Sequence, residues 1–169
     1  MWRAIAKAHR QGFRIIESNH LHLIIEARDC ASQARGVQGL KVSLTKGVNR
    51  ALGRSGALFE ERYHVRILKT PRAVRNALRY LLNNARHHAH ERGELLSPDL
   101  IDPYSSAIWF AGWRRDLVID ALWKEELRAM NPSTLPATVW LLTTGWRRHG
   151  TIGIDEIRGV ASVRGAKKW

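Results

Sequence analysis

The chain has 169 residues, and its 28 Lys and Arg outnumber its 15 Asp and Glu, which gives a formal net charge of +13. Hydrophobic residues make up 44% of the chain, which is enough for a packed core and excludes disorder throughout. Most of the basic residues are Arg, whose planar guanidinium suits bidentate recognition of phosphate. The charge therefore predicts a polyanionic partner, with nucleic acid favoured over a membrane.

Several classes of protein are excluded by the same composition. No apolar stretch approaches the roughly 20 residues that span a membrane, and basic residues interrupt the N-terminus where a secretory signal needs an apolar run. The single cysteine, Cys30, has no internal disulfide partner and no neighbour for a zinc finger. We expect a DNA-associated protein of the reducing cytoplasm that has no membrane partner.

The N-terminal half of the chain predicts a β-hairpin with helices around it. Two apolar runs separated by Ser-Asn indicate the hairpin, and apolar residues at helical spacing indicate the helix that follows. The predicted elements are, in chain order, a helix over 1–11, a hairpin over 13–26 with its turn at 18–19, a helix over 34–52 and a strand over 63–68.

A predicted helix over 71–92 carries two contrasting faces. Thr70 is expected to cap it, with a proline at the first helical position. Its apolar residues cluster on one side of the helix, and its arginines lie nearly opposite. The apolar face consists of Val74, Leu78, Leu81 and Ala85, and the basic face consists of Arg72, Arg75, Arg79 and Arg86.

The chain beyond this helix predicts a separate appendage. Two prolines between residues 93 and 113 favour a linker, and residues 114–169 favour a helical, basic C-terminal extension with helices over 115–130 and 136–149. The expected organisation is a domain over 1–92, the linker, and the extension.

His20 and His22 stand two residues apart in the second predicted strand. Because side chains alternate between the faces of a strand, both imidazoles project from one face, roughly 7 Å apart along it. That spacing suits two ligands of one metal ion. An isolated pair of this kind is more often the wet face of a half-buried sheet, so the pattern alone is weak.

Tyr80 and Asn84 lie one helical turn apart on the helix over 71–92. Both side chains reach one site if this helix crosses the sheet face that bears the histidines. An amide oxygen is a hard ligand for Mg²⁺ or Mn²⁺, and imidazole is a reasonable partner for Mn²⁺. Two His and one Asn would leave positions open for water and a phosphate oxygen, although such a Tyr and Asn are usually only an aromatic at the core edge and a surface residue.

These residues lie in three segments that resemble a known family. The segments are Ser-Asn-His-Leu-His-Leu-Ile-Ile-Glu at 18–26, Phe-Glu-Glu-Arg-Tyr-His at 59–64 and Leu-Arg-Tyr-Leu-Leu-Asn-Asn at 78–84. Together they resemble the single-tyrosine HUH transposases, and most closely the REP-associated tyrosine transposases of bacteria. The resemblance carries definite motifs over residues 1–92 and is less specific beyond them.

The resemblance implies an α+β fold and a strand-transfer activity. The fold would be a ferredoxin-like HUH domain, an antiparallel sheet with its helices on one face. The activity would be metal-dependent cleavage and transposition of single-stranded or hairpin DNA through a 5′-phosphotyrosine. Tyr80 would be the nucleophile, and His20, His22 and Asn84 would bind Mg²⁺ or Mn²⁺.

The basic residues then become candidate DNA contacts. The arginine face of the tyrosine helix is expected to follow the DNA backbone, and Trp113 is expected to stack on an unpaired base. The predicted DNA-binding residues are Arg62, Arg72, Arg75, Arg79, Arg86, Trp113, Arg114 and Arg115. His87, His88 and His90 are interpreted as a solvated helix end, and Tyr63, beside His64, is the rival nucleophile.

The chain departs from the family at its N-terminus. Members normally place a strand before the first helix, whereas Met1 here already falls in the predicted helix. We therefore expect the first strand to be absent, and this departure leaves the catalytic competence of the chain open. The exposed sheet edge predicts either a homodimer or a poorly soluble protein. The alternatives are a DNA-binding protein that has lost catalysis, and a structural zinc protein that uses His20, His22 and a third His.

Overall fold

A computed structural model describes residues 13–16, 21–60, 62–94, 96–97, 101–102, 105–114 and 135–157. Three predicted elements lie outside these residues, namely the helices over 1–11 and 115–130 and the turn at 18–19. No helix in the described part of the chain is long and apolar enough to cross a membrane.

The predicted hairpin is confirmed. Strands β1 (Phe13–Ile16) and β2 (Leu21–Ile24) pair antiparallel, with Ile15 opposite His22. Because alternate residues share a face, His22 points to the same side of β2 as Ile24, which is buried in the core. The hairpin therefore presents His22 to whatever element packs on that face.

Helix α1 (Cys30–Leu52) begins four residues before its predicted start. The carboxylate of Asp29 accepts a hydrogen bond from the backbone N–H of Ser32 at 2.6 Å and so caps the helix. This hydrogen bond also lowers the pKa of Asp29 below its ordinary value. The helix ends as predicted at Gly53, whose φ of +62° places it in the left-handed region that favours glycine.

The predicted helix over 71–92 is divided into α2 (Pro71–Leu82) and α3 (Asn84–Glu91). The Oγ1 of Thr70 accepts a hydrogen bond from the N–H of Ala73 at 3.1 Å, which confirms the predicted N-cap. At Asn83 the backbone leaves helical geometry (φ −107°, ψ 15°), and its side-chain amide donates to carbonyl groups near the C-terminus. The division thus coincides with a distant contact of the Asn83 side chain, which the local sequence does not reveal.

Helices α1 and α2 pack against opposite faces of the hairpin. Leu21 and Leu23 pack against Leu40 and Leu44 of α1, whereas Ile24 lies in the core formed with α2. These two helices therefore lie on opposite faces of the hairpin, whereas the expected fold has its helices on one face. The described strands form one two-stranded sheet, so the complete ferredoxin-like sheet stays a prediction.

The strand predicted over 63–68 is wrong. Residues 62–69 form no regular secondary structure, and the side chains of Tyr63, Val65 and Ile67 are 45%, 52% and 66% exposed. The alternation that suggested a strand is present, but in the described part of the chain no neighbouring strand pairs with the segment. A strand needs that hydrogen-bonded neighbour as well as a suitable pattern.

Residues 105–113 belong to the core, so their assignment to a linker is wrong. Ala107 and Phe110 are buried with Leu78 of α2, and Trp113 forms a β-bridge with Ile152. A single core thus contains residues from both sides of the predicted domain boundary. The remaining helical elements around it are a 3₁₀ turn at Ala107–Trp109, helix α4 at Trp140–Thr143 and a 3₁₀ segment at Gly145–His149.

The helix predicted over 136–149 is also shorter than expected. It begins at Trp140 and changes to 3₁₀ geometry at Gly145, where the Trp140 ring lies against the backbone. A Cβ at position 145 would come within 2.8 Å of Cζ3 of Trp140, so only glycine fits without a shift. The aromatic ring folding back on the chain is a packing contact that helical periodicity does not show.

Candidate active site

Helix α2 places Tyr80 beside the hairpin, as the sequence predicts. The rings of Tyr80 and His22 lie edge to face with their centroids 5.3 Å apart. Tyr80 is 38% exposed, so its ring contacts the protein while the residue stays open to solvent. His20, the second histidine of the predicted pair, lies outside the described residues.

Asn84 lies at the first position of α3, one turn beyond Tyr80, and is completely buried. Asn84 carries an amide oxygen and His22 an imidazole nitrogen, and these are donor types that suit Mn²⁺ or Mg²⁺. Among the residues that the structure describes, no three His, Cys, Asp or Glu side chains form a metal-binding group. A metal site here therefore needs the amide of Asn84 and a further ligand such as His20.

His87 joins the site, although its sequence was interpreted as a solvated helix end. Its ring lies 6.4 Å from that of Tyr80, centroid to centroid, and its Nε2 lies 3.4 Å from Oε1 of Glu91. His88 also reaches Glu91, with Nδ1 2.8 Å from Oε2, while His90 is exposed. The signal that identifies His87 is its position seven residues after Tyr80, which is two helical turns along the same face.

Arg75 is not available to DNA, which corrects its predicted role. It is 9% exposed, and its guanidinium donates to both carboxylate oxygens of Glu156 at 2.7 and 2.9 Å. Its remaining hydrogen bonds go to the backbone carbonyls of Gly150 and Thr151, each at 2.9 Å. The arginines predicted to share one face of the helix therefore differ in exposure, since Arg75 is buried and Arg72 is exposed.

Glu156 is the residue of this region that sequence reasoning missed. Besides Arg75, it lies 3.6 Å from Arg79 and 3.2 Å from Arg114. Burial opposes the ionisation of Glu156 and raises its pKa. Hydrogen bonds from Arg75 and from the Gly153 N–H, together with the charges of the arginines, outweigh this effect, so the pKa of Glu156 is lowered. The carboxylate is thus charged at neutral pH.

A small cleft opens between α2 and residues 135–157, the last described range, which we call the C-terminal segment. Tyr80 lies on its wall, and both Arg79 and His87 flank this tyrosine. The cleft is lined by Arg79, Tyr80, Asn83, His87, Glu156 and Ile157. The structure therefore brings Tyr80 together with a guanidinium and an imidazole at one solvent-accessible site.

The other predicted DNA contacts are scattered. Trp113 packs edge to face on Phe110 with ring centroids 5.3 Å apart, and its Nε1 donates to the carbonyl of Ala107 at 2.9 Å, which makes it a structural residue. Arg86 donates to the carbonyl of Ser97 at 2.8 Å. Of the remainder, Arg62, Arg72 and Arg114 are exposed, and Arg115 lies outside the described residues.

No family model, curated protein or solved structure matches this chain.

Proposed function

We propose that the protein is a metal-dependent single-stranded DNA endonuclease and transposase of the single-tyrosine HUH type, with Tyr80 as its nucleophile. The observation that carries the proposal is the contact between Tyr80 and His22, which are distant in sequence and meet at the hairpin face. Asn84, one turn beyond the tyrosine, and the net charge of +13 support it.

The reaction requires the phenol oxygen of Tyr80 to attack a phosphodiester in line. The new O–P bond forms as the P–O3′ bond breaks, which leaves a 5′-phosphotyrosine and a free 3′-hydroxyl. The covalent intermediate conserves the phosphodiester bond for rejoining to another strand. A divalent cation held by His20, His22 and Asn84 would polarise the phosphoryl oxygen and offset its developing charge.

Tyr80 has the surroundings that such a nucleophile needs. Its ring lies edge to face with the rings of both His22 and His87, while the residue stays partly exposed. Tyr63, the rival nucleophile, lies in the exposed irregular segment. The geometry therefore favours Tyr80.

The test is formation of a covalent protein–DNA adduct. We would incubate the protein and Mn²⁺ with a pool of 3′-end-labelled hairpin DNAs that carry randomised single-stranded flanks, and resolve the products under denaturing conditions. We expect a labelled adduct that Tyr80→Phe abolishes, while DNA binding persists because only a hydroxyl is lost. Tyr63→Phe is the matched control and should keep the adduct.

The other outcomes select the alternatives. An adduct that survives in Tyr80→Phe and disappears in Tyr63→Phe would move the nucleophile to Tyr63. Salt-sensitive DNA binding without an adduct would indicate a binding protein that lacks the chemistry. Zinc that co-purifies tightly and is required for folding would indicate a structural metal protein.

A further inference from the structure

We infer that Arg79 and His87 form a binding subsite for one DNA backbone phosphate beside Tyr80. This inference rests on the proposed function and assigns Arg79 a local task at the reacting group. His87, which the sequence alone places on a solvated helix end, becomes part of the same subsite. The ligand class is a phosphodiester of single-stranded DNA.

The charges around Glu156, which lines the cleft, are the first argument. One carboxylate, that of Glu156, is shared by the three guanidinium groups of Arg75, Arg79 and Arg114. In the described part of the chain these four groups leave two positive charges uncompensated. The side chains of Arg75 and Arg79 are largely buried, so water screens their charges less than it screens the charge of the exposed Arg114.

The distances show which arginine carries the surplus charge in the cleft. Glu156 binds Arg75 through two hydrogen bonds of 2.7 and 2.9 Å, whereas Arg79 approaches the same carboxylate only to 3.6 Å. The second carboxylate oxygen also accepts from the backbone N–H of Gly153 at 3.1 Å. Arg79 is therefore only weakly paired and can bind an additional anion.

Two nitrogen atoms on the cleft provide the second argument. The Nε of Arg79 and the Nδ1 of His87 are buried, and neither has a hydrogen-bond partner among the residues described. A buried donor without an acceptor is unfavourable, so an entering acceptor stabilises it. The guanidinium Nε–H is always a donor, and a phosphate oxygen is a strong acceptor for it. Because Nε2 of His87 faces Glu91, its Nδ1 adds a second donor only in a form of the ring that carries a proton on Nδ1.

The position of the subsite argues for a phosphate of the DNA strand. Arg79 and His87 both line the cleft that contains Tyr80, the group that would attack phosphorus. An arginine and an imidazole placed there would bind the phosphate oxygens and stabilise the charge that develops during attack. Arg72, on the same helix, is exposed and would contribute only general attraction.

The test follows the arginine Nε–Hε resonances by NMR. We would titrate the full chain with inorganic phosphate and then with the dinucleotide d(TpT), which contains one phosphodiester, and assign Arg79 through Arg79→Lys. We expect the Arg79 resonance to shift and saturate. The resonance of Arg75, whose Nε already donates to Gly150, should stay in place.

The same titration separates a site from general charge attraction. A shift of Arg72 that equals that of Arg79 and increases without saturation would mean an adventitious ion only, and would overturn the inference. Saturation should persist in Tyr80→Phe, because phosphate binding does not need the hydroxyl. If the shift of the Arg79 resonance no longer saturates in Tyr80→Phe, the subsite formed by Arg79 and His87 is contradicted as well.

The adduct assay distinguishes this inference from the proposed function. We expect Arg79→Gln to slow adduct formation by about 10- to 100-fold and the matched Arg72→Gln to change it much less. Adduct formation with no saturable response at Arg79 would reject the subsite and keep the function. A saturable response without any adduct would keep the subsite and reject the function.

Discussion

Glu156 illustrates how one side chain can connect distant parts of a chain. Its carboxylate accepts hydrogen bonds from both terminal nitrogens of Arg75, which lies 81 residues earlier. Its backbone carbonyl accepts a hydrogen bond from the side-chain amide of Asn83. Such a largely buried ion pair contributes little net stability, but loss of one partner leaves the other charge without compensation. We therefore expect substitution of Glu156 to destabilise the fold, although no sequence motif marks this residue.

This position predicts an acid-dependent loss of stability. Because the pKa of Glu156 is lowered in the folded protein, its carboxylate stabilises the fold above the ordinary value of 4.5, and this contribution disappears as pH falls through the lowered pKa. We expect Glu156→Gln to reduce the free energy of unfolding at pH 7 by about 1–3 kcal/mol and to flatten its decline in acid. Urea denaturation at several pH values measures both effects.

The neighbouring exposed Asp155 supplies the control. Asp155→Asn removes one negative charge from the same loop without removing a buried ion pair. It should leave stability and its pH dependence nearly unchanged. If Glu156→Gln loses stability in acid as steeply as the parent protein, the role assigned to its ionisation is wrong.

At the scale of elements, the N-terminus of α2 is determined by residues that are adjacent in the sequence. Thr70 accepts a hydrogen bond from the N–H of Ala73, and Pro71 occupies a position where an N–H has no helical partner. The first turn is therefore defined by adjacent residues. The burial of Val74 and Leu78 then fixes the face that α2 turns toward the core.

This cap predicts a graded effect of two substitutions. Thr70→Ala should lower the free energy of unfolding by about 1 kcal/mol because it leaves a helical N–H without its acceptor. Thr70→Ser keeps the hydroxyl and should retain most of the stability. Urea unfolding of the three proteins measures the order, and equal losses in both variants would contradict a capping role for the hydroxyl.

The comparison of elements shows which features were predictable from sequence. The hairpin, the cap at Thr70 and the C-terminal glycine of α1 depend on neighbouring residues, and the structure confirms them. The strand over 63–68 required a pairing partner, and the break at Asn83 required the C-terminal segment. Local periodicity contains no information about either partner.

The candidate site also combines features that depend on local sequence with features that depend on distant residues. The alternation of the strand and the spacing of the helix allow His22 and Tyr80 to meet if α2 crosses that face of the hairpin, and the structure shows the two rings in contact. The burial of Arg75 and the cleft at Arg79 depend on Glu156, which no motif marks. Helical spacing placed the arginines on one face but did not show which of them the protein itself neutralises.

At the scale of the whole molecule, the C-terminal segment completes the core of the N-terminal part. Trp146 is 2% exposed and packs with the buried residues of α2, and Ile152 lies in the same cluster. At the other end of the segment, the carboxylate of Glu26 accepts hydrogen bonds from the N–H groups of Thr138 and Val139, each at 3.0 Å. The hairpin and the C-terminal segment thus hold each other in place.

A shared core of this kind predicts a single cooperative unfolding transition. Trp146→Ala should lower the free energy of unfolding by about 3–5 kcal/mol, because it opens a cavity between α2 and the C-terminal segment. Hydrogen exchange should show protection falling together in β2, α2 and the segment around Ile152. Trp140→Ala is the matched control, since Trp140 is 47% exposed and its loss should cost much less. If protection is lost only after residue 135 while β2 and α2 keep theirs, the shared core is contradicted. That result would support the separate C-terminal extension predicted from the sequence.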